Sequence, residues 1–195
     1  MTAGTFARLV RQAASHRPAA GPACQLCSEP VPEGHRHVLD TSGNGLLCAC
    51  HACTLLFSRP AASEDRYRLV PRRRARLPQV PLAALGVPVG LAFFVAGDDG
   101  QVTAHYPSPA GATQWQVPPE AWAQARSECP LLASLVPAVE ALLARAARGR
   151  SDAWLVPVDD CFRLTAVVRQ HWRGLSGGDR VWPEIERFFS ELEEV

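Results

Sequence analysis

Net charge, long apolar runs and methionine are all scarce in this sequence, and the first two scarcities exclude functions. With 20 Lys and Arg against 19 Asp and Glu, the formal net charge is +1. No global field therefore draws the chain to nucleic acid or to an acidic membrane. The most apolar run, residues 87–97, is about half the roughly 20 residues that span a bilayer, and it reads as a buried strand. Arg8 and Arg11 interrupt the only apolar stretch near the N-terminus, so no secretory signal is read there. The single methionine, beside abundant alanine, proline and arginine, points to a GC-rich genome and to no mechanism.

What is present is a globular balance, 47% hydrophobic and 20% charged, in a chain long enough for a small module joined to one ordinary domain. The expected compartment is the cytoplasm. Thiols stay reduced there, so clustered cysteines argue for metal or redox chemistry rather than structural disulfides.

The pattern divides the chain into four parts. Residues 1–23 hold a short helix over 5–16, with Phe6, Leu9, Val10 and Ala13 at helical spacing, and a linker rich in proline, alanine and glycine. Residues 24–57 hold the cysteines. Residues 58–81 read as a linker carrying Arg66, Arg68, Arg72, Arg73, Arg74 and Arg76 between prolines. From 82 to 195 the pattern is that of a compact α+β domain. There a strand over 87–96 returns as 101–106 after the turn Gly97-Asp98-Asp99-Gly100. Pro118-Pro119 opens a helix with Trp122, a short helix follows Pro130, and another is expected over 137–147 with Val139, Leu142 and Leu143 inward. A strand over 154–158 leads to a helix with Asp159 and Asp160 at its positive end and Cys161, Leu164, Val168 and Trp172 along it. The last helix is placed from about Pro183, with Ile185, Phe188, Phe189 and Leu192 on one face.

Five of the seven cysteines lie between Cys24 and Cys53. Two Cys-x-x-Cys pairs, Cys24/Cys27 and Cys50/Cys53, flank 22 residues, 28–49. A Cys-x-x-Cys turn aims two sulfurs at one point, and two such turns joined by a hairpin bring four thiolates to a tetrahedron. Residues 35–40 and 45–49 read as the strands and 41–45 as the turn, which is the layout of a zinc ribbon. The four predicted ligands are Cys24, Cys27, Cys50 and Cys53. Zinc is expected, with a rubredoxin-like iron site as the alternative. Ser28 and Thr54 stand where rubredoxin-like knuckles place glycine, which weighs toward zinc. Cys48 reads first as a packed strand residue and second as a redox-active thiol. His35, Arg36, His37 and His51 read first as exposed polar positions around the site, where Arg or His would offset the thiolate charge, and second as ligands.

Three groups of motifs carry a resemblance. The first is Cys24-x-x-Cys27, His35-Arg36-His37-Val38-Leu39-Asp40 and Leu47-Cys48-Ala49-Cys50-x-Ala52-Cys53 with Leu55-Leu56-Phe57. The second is Pro88-Val89-Gly90-Leu91-Ala92-Phe93-Phe94 with Tyr106-Pro107-Ser108-Pro109-Ala110-Gly111-Ala112. The third is Leu155-Val156-Pro157-Val158-Asp159 with His171-Trp172-Arg173-Gly174-Leu175-Ser176-Gly177-Gly178. Together they resemble an actinobacterial family encoded beside high-affinity NiFe-hydrogenases. The resemblance brings no activity with it. It implies a setting, the assembly, maturation or operation of a hydrogenase, and a protein partner such as a hydrogenase subunit or maturation factor.

Elsewhere the sequence offers weaker candidates. His171-Trp172-Arg173-Gly174 reads first as a capped helix end and second as a recognition corner. Residues 106–112 read as a turn. Asp159 and Asp160 cap a helix, with no triad-like partner beside them. Arg72-Arg73-Arg74 reads as solvated linker, and second as an arm for an acidic partner. Four thiolates leave no position for water, so the expectation is a non-enzymatic metal-binding accessory protein that binds other proteins, and the alternative is an iron electron carrier.

Overall fold

The structure, a computed structural model, describes residues 21–43, 45–58, 66–78, 80–86, 90–147, 149–174 and 178–193. The helix expected over 5–16 lies outside them. The chain forms two compact units, 1–69 and 70–195. Both combine helices with antiparallel sheet, so the fold class is α+β, as the sequence pattern implies.

The first unit is built on a hairpin of β1 (Arg36–Asp40) and β2 (Gly45–Ala49), in which His37 faces Cys48 and Val38 faces Leu47. Asp40 closes the turn: its Oδ1 accepts from the Ser42 amide at 3.1 Å and the Ser42 hydroxyl at 2.6 Å. The Ser42 hydroxyl bond, acting against partial desolvation, holds the Asp40 carboxyl below its ordinary range. β3 (Tyr67–Leu69) pairs with the free side of β1, giving the order β2-β1-β3. Helix α1 (His51–Leu56) leaves the end of β2 directly.

The second unit is a six-stranded antiparallel sheet in the order β4-β9-β8-β5-β6-β7. Its strands are β4 (Ala75–Leu77), β5 (Gly90–Ala96), β6 (Val102–Ser108), β7 (Gly111–Gln116), β8 (Glu140–Ala147) and β9 (Arg150–Pro157). The helices are α2 (Pro119–Glu128), α3 (Val158–His171) and α4 (Gly178–Glu193), with a 3-10 turn at Leu132–Ser134. Successive side chains in a strand face opposite ways, and here both faces are covered. Ala92, Phe94, Leu142, Ala144 and Leu155 pack with Trp122, Ala125 and Leu132 on one side. Phe93, Ala141, Leu143, Trp154 and Val156 pack with Cys161, Leu164, Val168, Ile185, Phe188 and Phe189 on the other.

That double burial corrects one expectation: residues 140–147 are the strand β8, not part of a helix. Ala and Leu favour a helix locally, but a strand buried on both faces also reads as a continuous apolar run. Pairing with β5 and β9 on either side decides between them. Residues 106–112 are likewise not a simple turn. They carry the end of β6 and the start of β7, with Tyr106 opposite Thr113 and Pro107 opposite Ala112. The last helix begins at Gly178, ahead of Pro183.

The stretch read as a linker, 58–81, supplies one strand to each unit, β3 and β4. Its arginines are not simply solvated. Arg73 makes a bidentate pair with Glu140 at 3.0 and 2.7 Å, and Arg74 makes another with Asp160 at 2.7 and 2.9 Å. Arg76 reaches Asp152 at 3.0 Å, and Asp152 is also paired with Arg145. Buried carboxylates need such partners, and the arginine-rich segment provides them.

Candidate metal centre

The first Cys-x-x-Cys pair sits in a tight turn. The Ser28 amide donates to the Cys24 carbonyl at 2.8 Å, and the Cys24 amide donates to the Glu29 carbonyl at 2.7 Å. Ser28 closes this turn at φ 65°, a left-handed conformation that a side chain rarely adopts. The second pair straddles the start of α1, a refinement of the ribbon layout, in which both knuckles are turns. Cys50 is the N-cap, its Sγ accepts from the Cys53 amide at 3.4 Å, and Cys53 lies in the first turn. Between the pairs, Val31, Val38 and Ala49 pack with Cys24, Cys50 and Cys53 as a small core.

The four sulfurs of Cys24, Cys27, Cys50 and Cys53 lie within 4.8 Å of one another, and Cys27 and Cys50 are 3.6 Å apart. A tetrahedral ion with bonds of about 2.3 Å sets its sulfurs about 3.8 Å apart, so the donor set fits one metal ion. Cys24, Cys50 and Cys53 are buried and Cys27 is exposed.

Charge is unevenly shared among these thiols. Burial opposes ionisation of Cys24, but amides of Cys50, Leu26 and Cys27 outweigh it and draw its pKa down to about 6. Burial and the neighbouring sulfurs push Cys53 up to about 12. The Glu29 amide favours the thiolate of Cys27, yet the Cys24 and Cys50 side chains prevail and raise it above 9.0. Ionisation at Cys24 thus goes with suppressed ionisation at Cys27 and Cys53, and a cation at the group would relieve it.

Cys48 stands apart from the four, as a strand residue. His35 and His37 are half-buried, not exposed as first expected. Their rings meet edge to face at 4.9 Å, and with Cys48 they place one donor atom each within 4.8 Å of the others. All three are half-buried, and His51 is exposed and outside both groups. The signal in the sequence was the spacing of His37 and His35, one on β1 and one just ahead of it, and the hairpin register of the structure adds Cys48 opposite His37.

The second unit holds no comparable group among its described residues. Asp160 is buried under Arg74, and Asp159 Oδ1 accepts the Asp160 amide at 3.0 Å, both structural roles. Trp172 caps α3 and donates from Nε1 to the Gly174 carbonyl at 2.8 Å, while Arg173 donates to the carbonyls of Gln170 and Trp172. That corner is a capped helix end. Cys129 and Cys161 are core residues, and burial, reinforced by the charges of Asp160 and Asp159, pushes Cys161 well above its ordinary value.

A small module with a convergent four-cysteine group beside a compact α+β domain defines the protein as one able to hold a metal ion. The chain belongs to a family of unknown function, DUF5947, whose profile matches residues 23–195. No curated protein and no solved structure matches it.

Proposed function

We propose that Cys24, Cys27, Cys50 and Cys53 hold one zinc ion and that the protein is a non-enzymatic accessory protein that binds partner proteins in the assembly or maturation of a NiFe-hydrogenase. The observation that carries this reading is the convergence of four sulfurs, which fills a tetrahedral shell and leaves no position where water could be activated. The ion then closes a module whose own core is very small. Partner binding is supported by Leu55 and Leu56 at the end of α1, which are 60% and 61% exposed just beyond Cys53. The hydrogenase setting rests on the motif resemblance, and the cytoplasm goes with it as the compartment where thiols stay reduced. The near-neutral charge argues against nucleic acid, and no helix among the described residues is long and apolar enough to cross a membrane.

The test is metal analysis with a visible spectrum on protein purified from its native host, compared with a Cys50→Ser variant. Colourless zinc, lost from the four-sulfur site in the variant, is the expected result. Co-purification of a hydrogenase subunit or maturation factor, reduced by Leu55→Asp with Leu56→Asp, checks the partner.

One observation favours a second reading, an iron electron carrier of rubredoxin type. Ser28 adopts the left-handed turn that glycine usually supplies, so the missing glycine no longer separates iron from zinc, and the exposed Cys27 sulfur gives an electron a short route out. Visible bands that bleach on reduction establish this reading in place of zinc.

A further inference from the structure

We infer that His35, His37 and Cys48 form a second metal site, open where the four-cysteine site is closed, for a divalent d-block cation of the zinc class. The site lies on the other face of the same hairpin. Val38 and Ala49 point into the core shared with Cys24, Cys50 and Cys53, and strand alternation turns their neighbours His37 and Cys48 the opposite way. The two groups share no residue and stand independently of which ion fills the first.

Three features mark the group as built rather than incidental. The first is the pairing of His37 and Cys48. The Cys48 amide donates to Gln25 Oε1 at 2.7 Å, and its carbonyl accepts from the Gln25 amide at 2.8 Å. With both backbone groups of Cys48 turned outward to Gln25, the His37–Cys48 pair is the non-hydrogen-bonded kind, in which facing side chains approach most closely. The second is the orientation of His35. Its Nδ1 lies 2.9 Å from the Pro32 carbonyl, which can only accept, so Nδ1 carries the proton and Nε2 carries the lone pair. A histidine that ligates through one nitrogen commonly donates the other N–H to a backbone carbonyl in this way.

The third is that His35 Nε2 is buried with no hydrogen-bond partner. A buried acceptor left unsatisfied is costly and calls for a ligand. Two imidazoles and a thiolate supply that ligand's chemistry: the set suits zinc, cobalt, nickel or copper and, having no oxygen donors, does not suit magnesium or calcium. Tetrahedral binding needs the donors roughly 3.3–3.6 Å apart, so the present spread of up to 4.8 Å closes by small side-chain rotations. Three protein ligands leave one position for water or for a donor from another molecule. On binding, the Cys48 thiol gives its proton to solvent and the two imidazoles bind neutral.

Gln25 sits inside the first Cys-x-x-Cys turn, so the loop that holds the four-cysteine ion also fixes the backbone of Cys48. The test uses the full chain carrying its tightly bound metal, titrated with Co(II). Wild type is expected to take up one further equivalent, with a thiolate-to-cobalt charge-transfer band. His37→Ala and Cys48→Ser each abolish that equivalent and keep the metal of the four-cysteine site, which reports that the module is still folded. A reading free of variants comes from alkylation: Cys48 in wild type should react with iodoacetamide about tenfold or more slower once the added equivalent is bound. Failure of wild type to bind a further equivalent overturns the proposal. So does a further equivalent that persists in the His37→Ala, Cys48→Ser double variant, or one that binds wild type without protecting Cys48.

Discussion

Arg73 grips Glu140 with two of its nitrogens, at 3.0 and 2.7 Å, across 67 positions of sequence. Glu140 opens the central strand β8 and is 1% exposed; its Oε2 also accepts the Val136 amide at 2.8 Å. Burying a carboxylate there is costly without a cation beside it. Removing Arg73 therefore strands a buried charge, whereas removing both partners does not. Arg73→Ala is expected to destabilise the second unit by about 3 kcal/mol, near the low end for broken buried pairs because Arg73 itself is half-exposed. The Arg73→Ala, Glu140→Ala cycle should show a coupling above about 1 kcal/mol, read from urea midpoints. Additive single variants would remove this account of the arginine-rich segment.

Metal binding at the four-cysteine site is expected to release protons. At pH 7, Cys24, with a pKa of about 6, is ionised, while Cys27, raised above 9.0, and Cys53, at about 12, carry protons that a divalent ion must displace. Apparent affinity should rise between pH 6 and 8 by about tenfold per proton per pH unit. Calorimetry in buffers of different ionisation enthalpy counts the protons, and a count of zero contradicts the assignment.

Chelation should act on one unit only. The first unit has a small core around its cysteines, whereas the six-stranded sheet has extensive cores on both faces. Metal removal is expected to open residues 21–58 to protease while 90–193 stay resistant. Equal loss of both units would show that the sheet depends on the metal as well.

His105 gives the second unit a pH dependence of its own. It stacks on Phe93 with ring centroids 4.7 Å apart, and burial lowers its pKa below 6.5. A depressed folded value means the unfolded chain binds the proton more readily. The associated stability is present above pH 6.5 and is lost as pH falls from there through the lower folded value. Urea midpoints should decline from pH 7.5 to 5.5 in wild type and decline less in His105→Gln.

Leu143→Ala tests the double-faced core. Leu143 is fully buried on the α3–α4 side of β8 and is expected to cost about 2–5 kcal/mol when truncated. Under the helix expected from sequence, Leu142 and Leu143 would both have faced inward. In the strand they face opposite cores, so Leu142→Ala and Leu143→Ala should add nearly independently in the double variant.

What was legible in the sequence was local. The cysteine pairs, the hairpin between them, the proline-marked start of α2 and the apolar face of α4 all follow from short-range spacing, and the structure places them accordingly. What was illegible depended on distant partners. Nothing near Leu142 and Leu143 says that strands wait on both sides of them. Nothing near Arg73 and Arg74 says that Glu140 and Asp160 lie buried and charged far along the chain. The histidine–cysteine group sat between these cases: its spacing was readable, but only the register joins His37 to Cys48.

The pairing of β4 with β9, Ala75 opposite Leu155, has a bearing on synthesis. Cys24, Cys27, Cys50 and Cys53 all precede β4 in the chain, so they leave the ribosome before any strand of the sheet. The sheet cannot close its β4 edge until some 80 further residues have emerged, at about 5–20 residues per second. For those seconds the nascent chain has all four candidate ligands and an unfinished domain. An ion offered to the four cysteines during those seconds would meet all of its proposed ligands before the sheet is complete.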